Sequence, residues 1–212
     1  MKTDDLINAI AADAEAPRVP INWVIYAAAG IGILATALLF PMLLRVRPDI
    51  DAVFGNWHFV VKWAFSLTLL ATAMVLVLAL ARPQWTPGPL MLILLAAPLV
   101  LAIGVAIEML ILPASSWLPT MIGTAPVACL IYVPTLSALP LVAMIIALRR
   151  GAPARPALAG AVAGLVAASI AATFYATHCP NDSPLFLAAW YVLATAIVVT
   201  VGALLGSWLL RW

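Results

Sequence analysis

Apolar residues in this chain come in long unbroken blocks with no two-residue alternation, and the polar residues fall almost entirely between the blocks. Six blocks are long enough to cross a bilayer, which takes about 20 apolar residues as a helix. They run from about 21 to 44, 60 to 81, 89 to 112, 126 to 148, 156 to 176 and 185 to 210. The gaps hold charged and turn-forming residues: RVRPD, RPQWTPG, PASSWLP, RRGAPAR and HCPNDSP. Such short gaps predict turns joining antiparallel helical hairpins. The pattern gives an all-α integral membrane protein, a six-transmembrane-helix bundle (21–212) behind a polar N-terminal tail (1–20).

Composition narrows the class further. The chain is 66% hydrophobic and 8% charged, against about 25% charged in soluble domains, so a soluble globular fold is excluded. The polar first twenty residues read as a tail and not as a cleavable signal peptide. Basic residues set the orientation. Six spans put both termini on one side, with Lys2, Arg18, Arg82, Arg149, Arg150, Arg155 and Arg211; Arg45, Arg47 and Lys62 lie on the other. Seven against three places both termini in the cytoplasm. Trp23, Trp57, Trp85, Trp117 and Trp208 fall near span ends, as an interfacial aromatic belt requires.

The last two spans carry Gly160-x-x-x-Gly164 and Gly202-x-x-x-Gly206, a spacing that lets helix backbones approach closely, inside one bundle or across a dimer. Pro134 and Pro140 lie inside the fourth span and should kink it or free backbone carbonyls toward its neighbours.

The chemistry-bearing side chains converge on the outer face of this topology. His178, Cys179 and Asp182 occupy the last outer loop, Cys129 lies about one turn into the fourth span, Glu108 about one turn before the end of the third, and His58 at the start of the second. The two cysteines leave several chemistries open. They could form a disulfide, whose 50-residue separation would stabilise by about 3–4 kcal/mol. They could be a free redox-sensing pair, or join His178, with Asp182, Glu108 or His58 as auxiliaries, in holding a soft metal. They could also be unrelated and inert. Glu108, an ionisable group inside the membrane, is a functional candidate by default, unless it only reaches headgroups or bonds a neighbouring helix.

The tail MKTDDLINAIAADAEAPRVP is acidic by two charges, with a narrow apolar stripe at Leu6, Ile7 and Ile10 beside Asp4 and Asp5. An anionic cytoplasmic leaflet repels such a helix. It suits an apolar groove with a basic rim on a cytoplasmic protein, or it stands solvated and binds nothing.

MKTDDLINAIAADA at the N-terminus and ATFYATHCPNDSPLFLAAWY at residues 171–190 resemble the NrsF-type membrane anti-sigma factors, negative regulators of sigma F. The likeness extends over essentially the whole chain, six spans and cysteine positions included. It implies a non-enzymatic regulator of the bacterial inner membrane that holds an extracytoplasmic-function (ECF) sigma factor and releases it on heavy-metal or oxidative stress. It implies no required cofactor, a soft metal entering only as signal, and no direct contact with nucleic acid. Carried onto this sequence, Cys129 and Cys179 are the sensing pair; Asp4, Asp5, Leu6, Ile7 and Ile10 are candidates for sigma binding more on the residue pattern of the tail than on the resemblance. A small transporter or channel is the alternative, but it calls for a polar path that the spans scarcely offer. A membrane thiol oxidoreductase would use a close C-x-x-C pair, which the chain lacks.

Overall fold

The computed structural model describes Thr3, residues 19–82 and residues 88–211. The described residues are helical and contain no strand. Six helices are long and apolar enough to cross a membrane: α1 (Ile21–Leu43), α3 (Trp57–Leu80), α4 (Pro89–Ile111), α6 (Pro126–Leu148), α7 (Pro156–Ala176) and α8 (Pro184–Leu209). Two shorter helices, α2 (Ile50–Val53) and α5 (Ala114–Ile122), lie between them. The first turns of α4, Pro89–Leu95, are wound as a tighter 3₁₀ helix, and α8 contains one wide π turn at Leu187–Tyr191. The spans agree with the apolar blocks to within about one turn at each end.

The segment PASSWLP departs from expectation: it forms most of α5 and is not a turn. Its start is held by Trp117, whose indole N–H donates to the Leu112 carbonyl, and its end by Trp190, which donates to the Met121 carbonyl. Gly123 then reverses the chain with φ +64°, face to face with the Phe186 ring. A side chain there would meet both a strained backbone and that ring.

Neighbours in sequence are not always neighbours in space. α7 is the most buried span and stands at the centre, touching α1, α3, α6 and α8, while α1 lies mainly on α6 and scarcely meets α3. Ala and Gly fill α7 because a central helix flanked on four sides has little room for side chains. Along the α7–α8 seam the two glycine motifs face one another. A Cβ on Gly160 would lie 2.7 Å from the Gly206 Cα, and one on Gly164 would lie 2.8 Å from the Val198 carbonyl oxygen. The small residues thus serve packing within one chain, main chain against main chain.

Pro140 leaves the Leu136 carbonyl without its helical partner. Thr36 of α1 reaches across to it: its hydroxyl lies 3.4 Å from the Leu136 oxygen and 2.9 Å from that of Gly32. Gly32 itself admits Pro140, which a Cβ would approach to 3.0 Å.

Candidate functional site

The end of the bundle formed by residues 44–57, 108–126 and 177–183 holds the polar chemistry. The loop after α7 enters this end and is fixed by two cations from elsewhere in the chain. Lys62, one turn into α3 and wholly buried, donates to the carbonyls of Cys179 (2.9 Å) and Asn181 (3.1 Å) and to the Asp182 carboxylate (2.9 Å). Arg47 donates to the other Asp182 oxygen (2.7 Å), to the Cys179 carbonyl (3.4 Å) and, with both remaining nitrogens, to Asp49. Asp182 therefore bridges two cations, and the Cys179 carbonyl takes hydrogen bonds from both. A cation this deep survives because its acceptors are all in place. Pairing with Asp49 first, then with Asp182, raises the Arg47 guanidinium further above its ordinary value, while Arg47 draws the Asp49 carboxyl below the usual range.

The turn carries two further attachments. Asn181 accepts from the Thr124 backbone N–H (3.3 Å) and hydroxyl (3.2 Å), tying the loop to the α5–α6 connection. Glu108 of α4, nearly inaccessible, accepts from the Ser183 hydroxyl (2.7 Å) and the Leu185 N–H (2.9 Å), and Ser183 in turn caps the first N–H groups of α8. A carboxylate there satisfies otherwise orphaned donors and complements the helix dipole. His58 lies 3.5 Å from the second Glu108 oxygen and is itself held by Asn56. Glu108 thus bonds a neighbouring helix.

Both cysteines are free and fully buried in the same apolar cluster, walled by Tyr175, Phe186, Leu187 and Tyr191. The Cys129 thiol donates to the Tyr175 hydroxyl at 3.6 Å, and the Cys179 thiol to the Asn181 carbonyl at 3.7 Å. The Tyr175 and Tyr191 rings lie 5.8 Å apart, and the Lys62 ammonium sits 5.8 Å from the Tyr191 ring centre. Cys179 lies just outside the spanning helices. The neighbouring Cys129 thiol is the largest influence on it and lowers its thiol below the ordinary value, with help from the Lys62 charge and a backbone hydrogen bond at Asn181, against burial and Asp182.

Of the residues singled out in the sequence, the two thiols come together, and Asp182, Glu108 and His58 gather around the same loop. His178 takes a different role. Its Nδ1 donates to the Arg45 carbonyl at 2.6 Å, and its ring lies edge-on to Tyr132. Among the described residues no group of three or more His, Cys, Asp or Glu side chains is placed to hold a metal ion. Asp4, Asp5, Leu6, Ile7 and Ile10 lie outside the described residues. Lys62 and Arg47 are the members sequence reasoning missed, having been counted only as topological charges. The signal for Lys62 was an ionisable side chain beside the apolar run that follows it, FVVKWAF.

The family described as negative regulator of sigma F matches residues 10–212. The probable anti-sigma-F factor NrsF of Azospira oryzae is 36% identical over 217 residues, with the whole of both chains aligned. The anti-sigma-F factor NrsF of Caulobacter vibrioides is 35% identical over 222 residues, again across the whole of both chains. No solved structure matches the chain.

Proposed function

The chain belongs to the NrsF family of negative regulators of sigma F, and from that premise we propose that it is an anti-sigma factor of the bacterial inner membrane. Both termini face the cytoplasm, and the partner is a sigma factor of the ECF type held there through the acidic tail and the arginine-bearing ends of the helices. The signal is heavy-metal or oxidative stress, met by Cys129 and Cys179 on the periplasmic side.

The observation that carries this reading is the burial of both free thiols in one cluster beneath a loop pinned by Lys62 and Arg47. Any chemistry that pulls the sulfurs into a new arrangement, a disulfide or a bridging soft ion, displaces the Cys179 carbonyl from two buried cations. The loop opens α8 directly, and α8 is locked to α7 down to the far end of the bundle. A sigma factor that binds one arrangement of those helices better than the other is released when the balance shifts. The buried charges support a regulator over a transporter: Lys62 and Glu108 both belong to the loop end, and among the described residues no relay of ionisable groups continues through the bundle.

The test is the double variant Cys129→Ser, Cys179→Ser in cells carrying a reporter for the sigma regulon. Retention of the sigma factor at the membrane with loss of induction by cadmium salts and by peroxide is expected. Normal induction in that variant refutes the sensing role. Deleting residues 2–15 should release the sigma factor constitutively while the protein still inserts, and undiminished membrane retention refutes the tail assignment.

A further inference from the structure

The end of the bundle opposite the cysteines carries, beside the arginines, an apolar feature. α1 and α6 touch where Gly32 meets Pro140, and beyond that contact a gap is lined by both helices. The gap is an apolar groove of about 590 Å³. One wall is a stripe along α1 with Trp23, Ala27 and Ile31 at four-residue spacing, and the other is Ala143, Ile146 and Arg150 at the end of α6. Four-residue spacing keeps a single face of a helix. From Trp23 to Ile31 the groove runs about 12 Å along the helix axis. Its inner end is closed by the Gly32–Pro140 contact. Its outer end is open, with the Arg150 guanidinium and the largely exposed Trp23 indole at the mouth.

Charge selects the occupant. Arg82, Arg149, Arg150, Arg155 and Arg211 all lie at this end and all are exposed. The carboxylates of the described residues, Asp49, Asp51, Glu108 and Asp182, all belong to the other end. A wedge open to the hydrocarbon, lined by apolar side chains and headed by a guanidinium among four more, matches a phospholipid with a net negative headgroup. Its acyl chain fills a space that water cannot favourably occupy, and its phosphate accepts from Arg150. The tryptophan at the mouth stands at the depth where such rings prefer to sit. A zwitterionic lipid would satisfy the apolar walls but bring no net charge to the five exposed arginines.

We infer that the α1–α6 groove is a binding site for an anionic phospholipid, one acyl chain between Trp23 and Ala143 and the headgroup phosphate on Arg150.

The full-length protein, released from detergent in a native mass spectrometer after equilibration with phosphatidylglycerol or phosphatidylcholine, tests this. Wild type should keep a phosphatidylglycerol adduct and little phosphatidylcholine. Arg150→Gln should weaken retention about fivefold, the effect of one basic side chain near a membrane surface, and Arg150→Lys should restore most of it. Ala27→Phe, which fills the groove from an exposed position and leaves every arginine in place, should remove the adduct as well. Equal retention of the two lipids, or unchanged phosphatidylglycerol retention in either Arg150→Gln or Ala27→Phe, overturns the assignment. So does a wild-type dimer that Ala27→Phe dissociates with its lipid still bound, which would give the groove to a second copy of the chain.

Discussion

The Lys62 ammonium donates to the Cys179 carbonyl across 2.9 Å, joining a buried cation on one helix to the backbone of a thiol 117 residues later. The same nitrogen also serves Asn181 and Asp182, so one side chain holds the loop in three places. Replacing it by Met takes the donor from the Asn181 carbonyl and leaves Asp182 and the Cys179 carbonyl with Arg47 alone. Lys62→Met is expected to cost about 3–5 kcal/mol, as for other buried ion pairs broken on one side. The double variant Lys62→Met, Asp182→Asn should recover part of that loss. Thermal unfolding in detergent measures both, and a single variant as stable as wild type contradicts the role given to Lys62.

The lowered Cys179 thiol predicts a reactivity profile. Only the thiolate is nucleophilic. With Cys179 lowered below the ordinary thiol value by the neighbouring thiol and the Lys62 charge, its thiolate fraction climbs at a lower pH than that of an ordinary thiol. Alkylation of Cys179 by a small neutral maleimide, followed by peptide mass spectrometry, should therefore level off above neutral pH. In Cys129→Ala, which removes the neighbouring thiol and leaves no donor in its place, the midpoint should move upward. A wild-type midpoint near 8.5 contradicts the geometry described for the pair.

Two glycines of the same chain should respond differently to one methyl group. Gly160→Ala forces a Cβ against Gly206, and overpacking of this kind costs about 1–3 kcal/mol. Gly30→Ala meets nothing within 4 Å and gains helix propensity. Comparing their unfolding midpoints in one detergent checks the seam. Equal midpoints mean that α7 and α8 are not in backbone contact.

Thr36 and Pro140 form a second testable pair. Thr36→Val removes the donor that reaches the Leu136 carbonyl, an expected loss of about 1 kcal/mol. In a Pro140→Ala background the helix supplies its own N–H to that carbonyl, and the threonine should lose most of its worth. A double-mutant cycle reads the difference. A cost for Thr36→Val that is the same in both backgrounds denies the coupling.

The spans were legible in the sequence because a hydrocarbon slab accepts little besides an apolar helix of one length. The close approach of α7 and α8 was legible from four glycines. Whether these would meet within one chain was not, since the spacing serves a dimer equally well. Cys129 and Cys179 could be assigned to one face from topology alone, yet the hydrogen bonds around them could not. Lys62 lay close enough to a predicted span end to count as an interfacial charge, and its burial depends on carbonyls that arrive from residues 179 and 181. His178 sits beside Cys179 in sequence but belongs to Arg45 in space, because the turn at the end of α7 points its ring out of the thiol cluster. PASSWLP carries two prolines and two serines, a composition that suits a turn. It coils instead because Trp117 and Trp190 each donate an indole hydrogen to a carbonyl at its ends.

The glycine seam has a mechanical consequence. Where two helices meet through side chains, rotamers can give and one rod can slip along the other. Where Gly160, Gly164, Gly202 and Gly206 bring main chain onto main chain, no soft material lies between them. The final hairpin is therefore a single stiff plank, gripped at one tip by the loop that carries Cys179 and ending at the other in Arg155 and Arg211. A push on the gripped tip cannot be absorbed along its length and must emerge as tilt at the free one.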